Sequence, residues 1–171
     1  VECITGEAMI RSPYEVEVNG TVITSRAMII ATGARPMVPP IPGLAEVDYL
    51  TSDTVWNLRQ RPERLVVLGG GPIGCELAQC FARLGSQVSQ LEMGPRILIR
   101  EDEEVSQLAR ESLEHDGVRV LTGHKALRCE LDNGNKFIIV EHADTEHRIE
   151  FDAMICAVGR VARLDGYGLE D

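Results

Sequence analysis

Residues 64–92 read RLVVLGGGPIGCELAQCFARLGSQVSQLE, and the order of residue types in this stretch decides the fold. The apolar run up to Leu68 reads as a buried strand that leads directly into a glycine cluster. Ile73, Leu77, Phe81 and Leu84 then recur at helical spacing, which predicts a helix over Ile73–Leu84 with Gly85 placed to end it. A second strand is expected over Gln87–Glu92. Strand, glycine turn, helix and strand in this order make a βαβ unit with a right-handed crossover.

Within the turn, Gly69, Gly71 and Gly74 spell G-x-G-x-x-G. That spacing alone is a weak signal. Here it follows a strand, opens a helix and precedes an acidic residue, Glu92, that ends the next strand about 20 residues on, the context in which such a loop holds a dinucleotide. Gly69 permits a tight turn, Gly71 lets a pyrophosphate approach the backbone, and Gly74 lets helix and strand pack closely. Gly70, Pro72 and Ile73 complete the cradle, and the helix N-terminus supplies free amides and a positive dipole end.

The same stretch contains Cys75 and Cys80, a C-x-x-x-x-C spacing that suggests a redox dithiol. Geometry excludes it, because helical residues five apart point about 140° away from each other with Cα atoms more than about 7 Å apart. Both are expected to be buried structural thiols. Cys3, Cys129 and Cys156 read as small apolar residues, and the four histidines show no ligand spacing, so no metal site is expected.

Length and composition bound the answer. The 171 residues are 44% hydrophobic, enough to bury a core, and no apolar run approaches the roughly 18 to 20 residues of a membrane span. Arg11, Glu15 and Glu17 interrupt the place of a signal peptide. With 27 acidic against 17 basic residues and a net charge of -10, general affinity for nucleic acid is not expected. The acidic run Glu101–Glu104 reads as a solvated helix start. Five irregularly spaced cysteines suggest free thiols and a cytoplasmic setting. The opening VECITGEAMI, without an initiator methionine, and the ending GLED suggest a piece of a longer protein.

An internal echo organises the rest: AMIIATG at Ala27–Gly33 returns as AMICAVG at Ala153–Gly159. Each reads as a buried strand ending in a glycine that lets something approach. The proline-rich Pro36–Leu44 is a connection, and Thr51–Arg59 is expected as a short helix with Thr51, Ser52 or Asp53 as N-cap, ended by Pro62. A helix over Glu103–His115 and a strand over Val118–Leu121 extend the alternation to β-α-β-α-β. From Lys125 to Ile149 short strands surround the hairpin turn Asp132-Asn133-Gly134-Asn135. The expected fold is α/β, a Rossmann-like domain with a parallel sheet and an antiparallel meander.

LGGGPIGCELAQCFARLG at 68–85, ATGARP at 31–36 and AVGR at 157–160 together resemble the pyridine nucleotide-disulfide oxidoreductases, flavoproteins that include dihydrolipoamide dehydrogenase, mercuric reductase and glutathione reductase. The resemblance covers nearly the whole chain. It implies the end of a first FAD-domain segment over 1–47, a linker with a short helix over 48–62, an inserted NAD(P)H-binding domain over 63–160, and a return toward the FAD domain over 161–171. Thr32, Gly33 and Ala34 would approach FAD, and Gly69 to Gly74 would hold the NAD(P)H pyrophosphate. Glu76 would lie near the nicotinamide carboxamide, or serve only as a first-turn carboxylate favoured by the helix dipole. Glu92 would bind the adenosine ribose, the Ala126 backbone would flank the adenine, Gly159 would let the nicotinamide come close, and Arg160 would face the flavin.

Two departures from the family pattern stand out. Pro72 occupies the place of an aromatic gate over the flavin, and GRVARLDGYGLED carries Ala162 and Arg163 where Pro and Asn are common. The first FAD glycine motif with its redox cysteine pair is absent, as is the C-terminal domain that supplies the base and the dimer interface. The resemblance therefore implies a homodimeric intact enzyme that passes hydride from nicotinamide to FAD and on to a disulfide or metal-ion acceptor, with no catalytic side chain and no activity in this segment alone. A flavin reductase without a redox disulfide, or a non-catalytic nucleotide sensor, are the alternative readings. NADH is expected over NADPH, because Glu92 would meet a 2'-phosphate with like charge; Arg96, the competing consideration, has the Glu101–Glu104 region as partner.

Overall fold

In the computed structural model, which describes residues 1–169, the strands along the chain are β1 (Ala8–Ser12), β2 (Glu15–Val18), β3 (Thr21–Thr24), β4 (Ala34–Pro36), β5 (Leu50–Thr51), β6 (Arg64–Leu68) and β7 (Gln87–Glu92). They continue as β8 (Arg119–Thr122), β9 (Lys125–Asp132), β10 (Asn135–His142), β11 (Thr145–Phe151), β12 (Ala153–Cys156) and β13 (Arg160–Ala162). Two α-helices, α1 (Pro72–Arg83) and α2 (Glu103–His115), and short 3-10 turns at Leu44–Glu46 and Val55–Asn57 complete the list. The chain divides into two units, one of Pro36–Gly159 and one of Val1–Arg35 with the segment from Arg160 onward.

The larger unit is built on a five-stranded sheet in the order β5-β12-β6-β7-β8, in which every pair is parallel. Strand β6 lies at its centre, and Leu65, Val66, Val67 and Leu68 are all buried. Successive side chains serve opposite faces. Leu65 and Val67 join Val88, Val120, Ile155, Ala78 of α1 and Leu113 of α2 in one core. Val66 and Leu68 join Leu91, Met154, Cys129, Ile138, Val140 and Phe151 in another. The sheet is thus covered by helices on one face and by the antiparallel β9-β10-β11 meander on the other.

Most of the expected elements fall within a residue or two of their sequence positions. α1 begins at Pro72 and not Ile73, because proline's fixed φ and missing N–H suit the first helical position. Gly85 leaves the helix with φ 93°. β7 and α2 have the expected ends. The β9–β10 turn places Asn133 and Gly134 at φ 50° and 83°, the left-handed pair that a two-residue hairpin loop requires. A second hairpin of the same kind turns through Asn19-Gly20 between β2 and β3.

Three expectations are corrected. Thr51–Arg59 is not a helix: Leu50–Thr51 pairs with β12, and only Val55–Asn57 makes a 3-10 turn. A tertiary pairing partner outweighs a local propensity that is too short to sustain a helix. Residues 27–33, the first copy of the echo, are not a strand either. No strand of the described residues pairs with them and Ile29 is 95% exposed, whereas the second copy forms β12 between β5 and β6. β-branched residues make a strand only where a neighbour supplies the backbone partners.

The third correction concerns the thiols. Cys129 and Cys156 are buried, but Cys3 and Cys80 are exposed and Cys75 is half-buried. Cys80 lies on the outer face of α1. Burial pushes the thiol pKa of Cys129 up to about 11 and that of Cys156 up to about 12. A thiol-specific reagent at neutral pH is accordingly expected to modify Cys3 and Cys80 rapidly in the native chain, and Cys129 and Cys156 only on unfolding. Peptide mapping of the labelled protein checks this; rapid native labelling of Cys156 would show that the meander does not cover the sheet.

Candidate nucleotide-binding site

At the end of β6 the chain turns through Gly69, Gly70 and Gly71 into α1. Gly69 has φ 116°, and a Cβ there would run into the Ala157 carbonyl oxygen, so both conformation and space demand glycine. Gly74 is equally constrained, since its added Cβ would meet the Gly69 carbonyl oxygen. These are the tight turn and the close helix approach expected from the sequence.

Gly71 differs from both. As N-cap of α1 it has ordinary extended angles, φ -78° and ψ 177°, and an added Cβ would meet no protein atom within 4 Å. Neither strain nor packing within the chain calls for glycine here. The open space lies at the start of α1, where Pro72 has no N–H and the amides of Ile73 and Gly74 fall in the turn that a helix cannot satisfy internally.

Glu92 reaches this loop. Gly70 N donates to Glu92 Oε2 at 2.7 Å, and Gly94 N donates to Oε1 at 2.6 Å. Gly70 is therefore constrained by the carboxylate itself, with an added Cβ 2.9 Å from Glu92 Cγ. Both carboxylate oxygens hold loop amides, and each keeps a further lone pair for another donor. The Glu92 backbone oxygen accepts from His124 N, and Gly123 N donates to Gly94 O, which ties the β8–β9 connection to the end of β7. Ala126 follows at the start of β9, paired with Val140. Arg96 is engaged: its Nη1 donates to the backbone oxygens of Leu98 and Glu101.

The remaining candidates are placed as follows. Glu76 is exposed on α1, but the first turn of the helix holds no acidic residue, so the reading of Glu76 as a first-turn carboxylate is set aside. Gly159, with φ 145°, follows β12 and accepts a hydrogen bond from Met37 N. In the smaller unit Thr32 Oγ1 donates to Arg163 O, Gly33 O accepts from Arg163 N, and Arg160 Nη2 donates to Ala34 O at 2.6 Å. Three of the four histidines gather on the meander, with His124 and His142 stacked 4.2 Å apart, yet no group among the described residues could hold a metal ion.

Two residues that hold this loop from outside it carry no sequence motif. Leu98 N donates to Gly70 O, and the Gln90 side chain lies beneath the loop.

A model of the pyridine nucleotide-disulphide oxidoreductases matches residues 1–171. The chain belongs to that family. Relatives within the family include a mercuric reductase of Staphylococcus aureus, 38% identical over 99% of this chain and 31% of its own length. Another is a dihydrolipoyl dehydrogenase of Thermus scotoductus, 37% identical over 99% of this chain and 37% of its own. Among solved structures, the HOCl-induced flavoprotein disulfide reductase RclA from Escherichia coli superposes with a TM-score of 0.77 at 31% identity, covering 98% of this chain and 38% of that one. The chain thus spans about a third of the length of these family members.

The contrast among the glycines gives a test of the loop. Gly70→Ala is expected to lose about 1–3 kcal/mol through displacement of the Glu92 side chain, as overpacking does. Gly71→Ala is expected to lose less than about 1 kcal/mol, the scale of an altered N-cap. Urea denaturation of the two variants measures the difference, and the reverse order would refute the described packing.

Proposed function

We propose that the chain is the nicotinamide-dinucleotide-binding portion of an FAD-dependent oxidoreductase, and that it positions NAD(P)H so that hydride passes to FAD and then to a disulfide or metal-ion acceptor. The observation that carries this is Gly71. A glycine that neither its angles nor its neighbours require, at a helix start with open space before it, suits the close approach of an external group. The cofactors supply the redox chemistry itself.

In this reading the protein's residues bind and orient. The amides and dipole at the start of α1 hold the pyrophosphate, a local positive field within a chain of net charge -10. Glu92 accepts from the adenosine ribose with the lone pairs that its two loop amides leave over, and the backbone at Ala126 flanks the adenine. Gly159, without a side chain, leaves room for the nicotinamide, with Glu76 toward its carboxamide. Thr32, Gly33 and Ala34, with Arg160, belong to the flavin side; the exposed Ile29 and Ile30 support a reading in which the 27–33 run belongs to a sheet completed by other residues. The intact protein is a cytoplasmic homodimer, and the present segment alone is inactive. No helix among the described residues is long and apolar enough to cross a membrane.

Calorimetric titration with NADH tests the cradle. Gly71→Val should fold and lose at least about tenfold in affinity, or about 1.4 kcal/mol. Unchanged affinity in the folded variant would sink the assignment.

NADH should bind more tightly than NADPH. A 2'-phosphate at the ribose would bring like charge against Glu92, on the order of 4 kcal/mol per unit charge at about 4 Å and an effective dielectric near 20, an upper figure that solvent reduces. The bonds of Arg96 to the Leu98 and Glu101 carbonyls favour the same outcome, since a turn toward a phosphate would break them. Equal affinity of the unmodified chain for the two cofactors would show that Glu92 does not select between them.

A further inference from the structure

The peptide unit that joins Gly69 to Gly70 is held at both ends from one strand. Its oxygen, Gly69 O, accepts from Gln90 Nε2 at 3.1 Å, and its nitrogen, Gly70 N, donates to Glu92 Oε2 at 2.7 Å. Gln90 and Glu92 are two residues apart on β7, so both side chains leave the same face. Between them, Leu91 O accepts from Gly69 N at 2.8 Å.

The next carbonyl is held as well. Gly70 O accepts from Leu98 N at 2.7 Å and from Cys75 Sγ at 3.6 Å, and the same sulfur accepts from Gln90 Nε2 at 3.4 Å. The two N–H groups of the Gln90 carboxamide are therefore divided between Gly69 O and Cys75, and Cys75 hands the contact on to Gly70 O. Burial raises the Cys75 pKa, against a weaker opposing effect of the Gln90 hydrogen bond, which keeps the thiol a donor at neutral pH.

Stability alone does not account for this arrangement. Gln90 is wholly buried on an interior strand of the parallel sheet, and its Oε1 has no hydrogen-bond partner. An orphaned buried amide oxygen is unfavourable, and an apolar side chain of similar size would not carry that cost. The loop it supports has, in contrast, a particular need. A Gly-Gly peptide lacks the Cβ atoms that restrict rotation, and a carbonyl that swung outward would present negative charge to an anion.

We infer that Gln90 is a positioning residue for the dinucleotide: directly at Gly69, and through Cys75 at Gly70, it holds both carbonyls turned into the protein so that the loop offers only N–H groups to the pyrophosphate. The inference rests on the dinucleotide reading of the preceding subsection. It assigns Glu92 a second task, as the other end of the same clamp.

The test uses the 171-residue chain with Gln90→Leu, Gln90→Glu and Cys75→Ala, NADH titration, thermal melting, and hydrogen exchange of the Gly70 and Gly71 amides without nucleotide. Gln90→Leu exchanges the orphaned Oε1 for an unpaired Gly69 O, so its melting temperature should stay close to that of the unmodified chain while NADH affinity falls about tenfold, the scale of one lost buried hydrogen bond. Exchange at Gly70 and Gly71 should quicken. Cys75→Ala should show a smaller loss of the same kind. Gln90→Glu keeps the shape but replaces the donor by a carboxylate, which can donate to Gly69 O only when protonated. Its affinity relative to the unmodified chain at the same pH should therefore recover as the pH falls, a dependence that a packing role would not produce.

Unaltered affinity and exchange in folded Gln90→Leu would overturn the inference. If that variant does not fold, a Gln90→Glu affinity that tracks the unmodified chain at every pH would overturn it instead. Failure of the unmodified chain to bind NADH would remove the dinucleotide reading, and the role of Gln90 with it; quickened exchange in Gln90→Leu would then still show the clamp.

Discussion

The hydrogen bond from Gly70 N to Glu92 is the interaction on which the candidate site depends. It connects the two strands of the βαβ unit at their carboxyl ends, where the chain leaves β6 for α1 and where the next strand ends. Because the same carboxylate also accepts from Gly94, one side chain sets the loops after both strands. The loop before α1 is consequently determined from β7 and not by its own sequence, which is nearly all glycine and has little conformational preference. Gln90 and Leu91 act at the same place, so three successive residues of β7 hold the two consecutive peptide units on either side of Gly69.

This arrangement requires a sheet that does not move, and the two cores provide it. The alternation along β6, Leu65 and Val67 toward the helices and Val66 and Leu68 toward the meander, places the strand between two apolar layers. A strand slipped by one residue would exchange those faces, so burial on both sides specifies the register. The pairing of Leu68 with Leu91 keeps the ends of β6 and β7 level. That places the loop after β6 beside Glu92.

Charge acts locally. The chain carries a net -10, yet a helix N-terminus with glycine as N-cap presents a concentrated positive potential within its first turn. Acidic residues stand at the start of α2, where Glu103 and Glu104 meet the dipole of that helix favourably, but not in the first turn of α1. The two helices thus begin with opposite chemistry. One start is occupied by the protein's own carboxylates, and the other is left open.

What the sequence determined by itself was the alternation of buried runs and amphipathic helices, the turn signals at Asn133-Gly134 and Gly85, and the roles of Gly69 and Gly74. These follow from local rules, periodicity and glycine's freedom at positive φ, which need no knowledge of distant partners. The tertiary structure decided the rest. AMIIATG and AMICAVG are nearly the same string, yet only the second is a strand, because β5 and β6 lie on either side of it. Thr51, the first residue of the expected helix, is taken into the sheet by β12 together with Leu50. Cys75 and Cys80 both had a place on the predicted helix, but exposure depends on what packs against each face. Gln90 is one of several polar residues in the strand QVSQLE and does not stand out in the sequence; its hydrogen bond goes to a glycine in another strand's loop. Hydrogen bonds between residues far apart in sequence leave no periodic trace, and so they become visible only when the chain has folded.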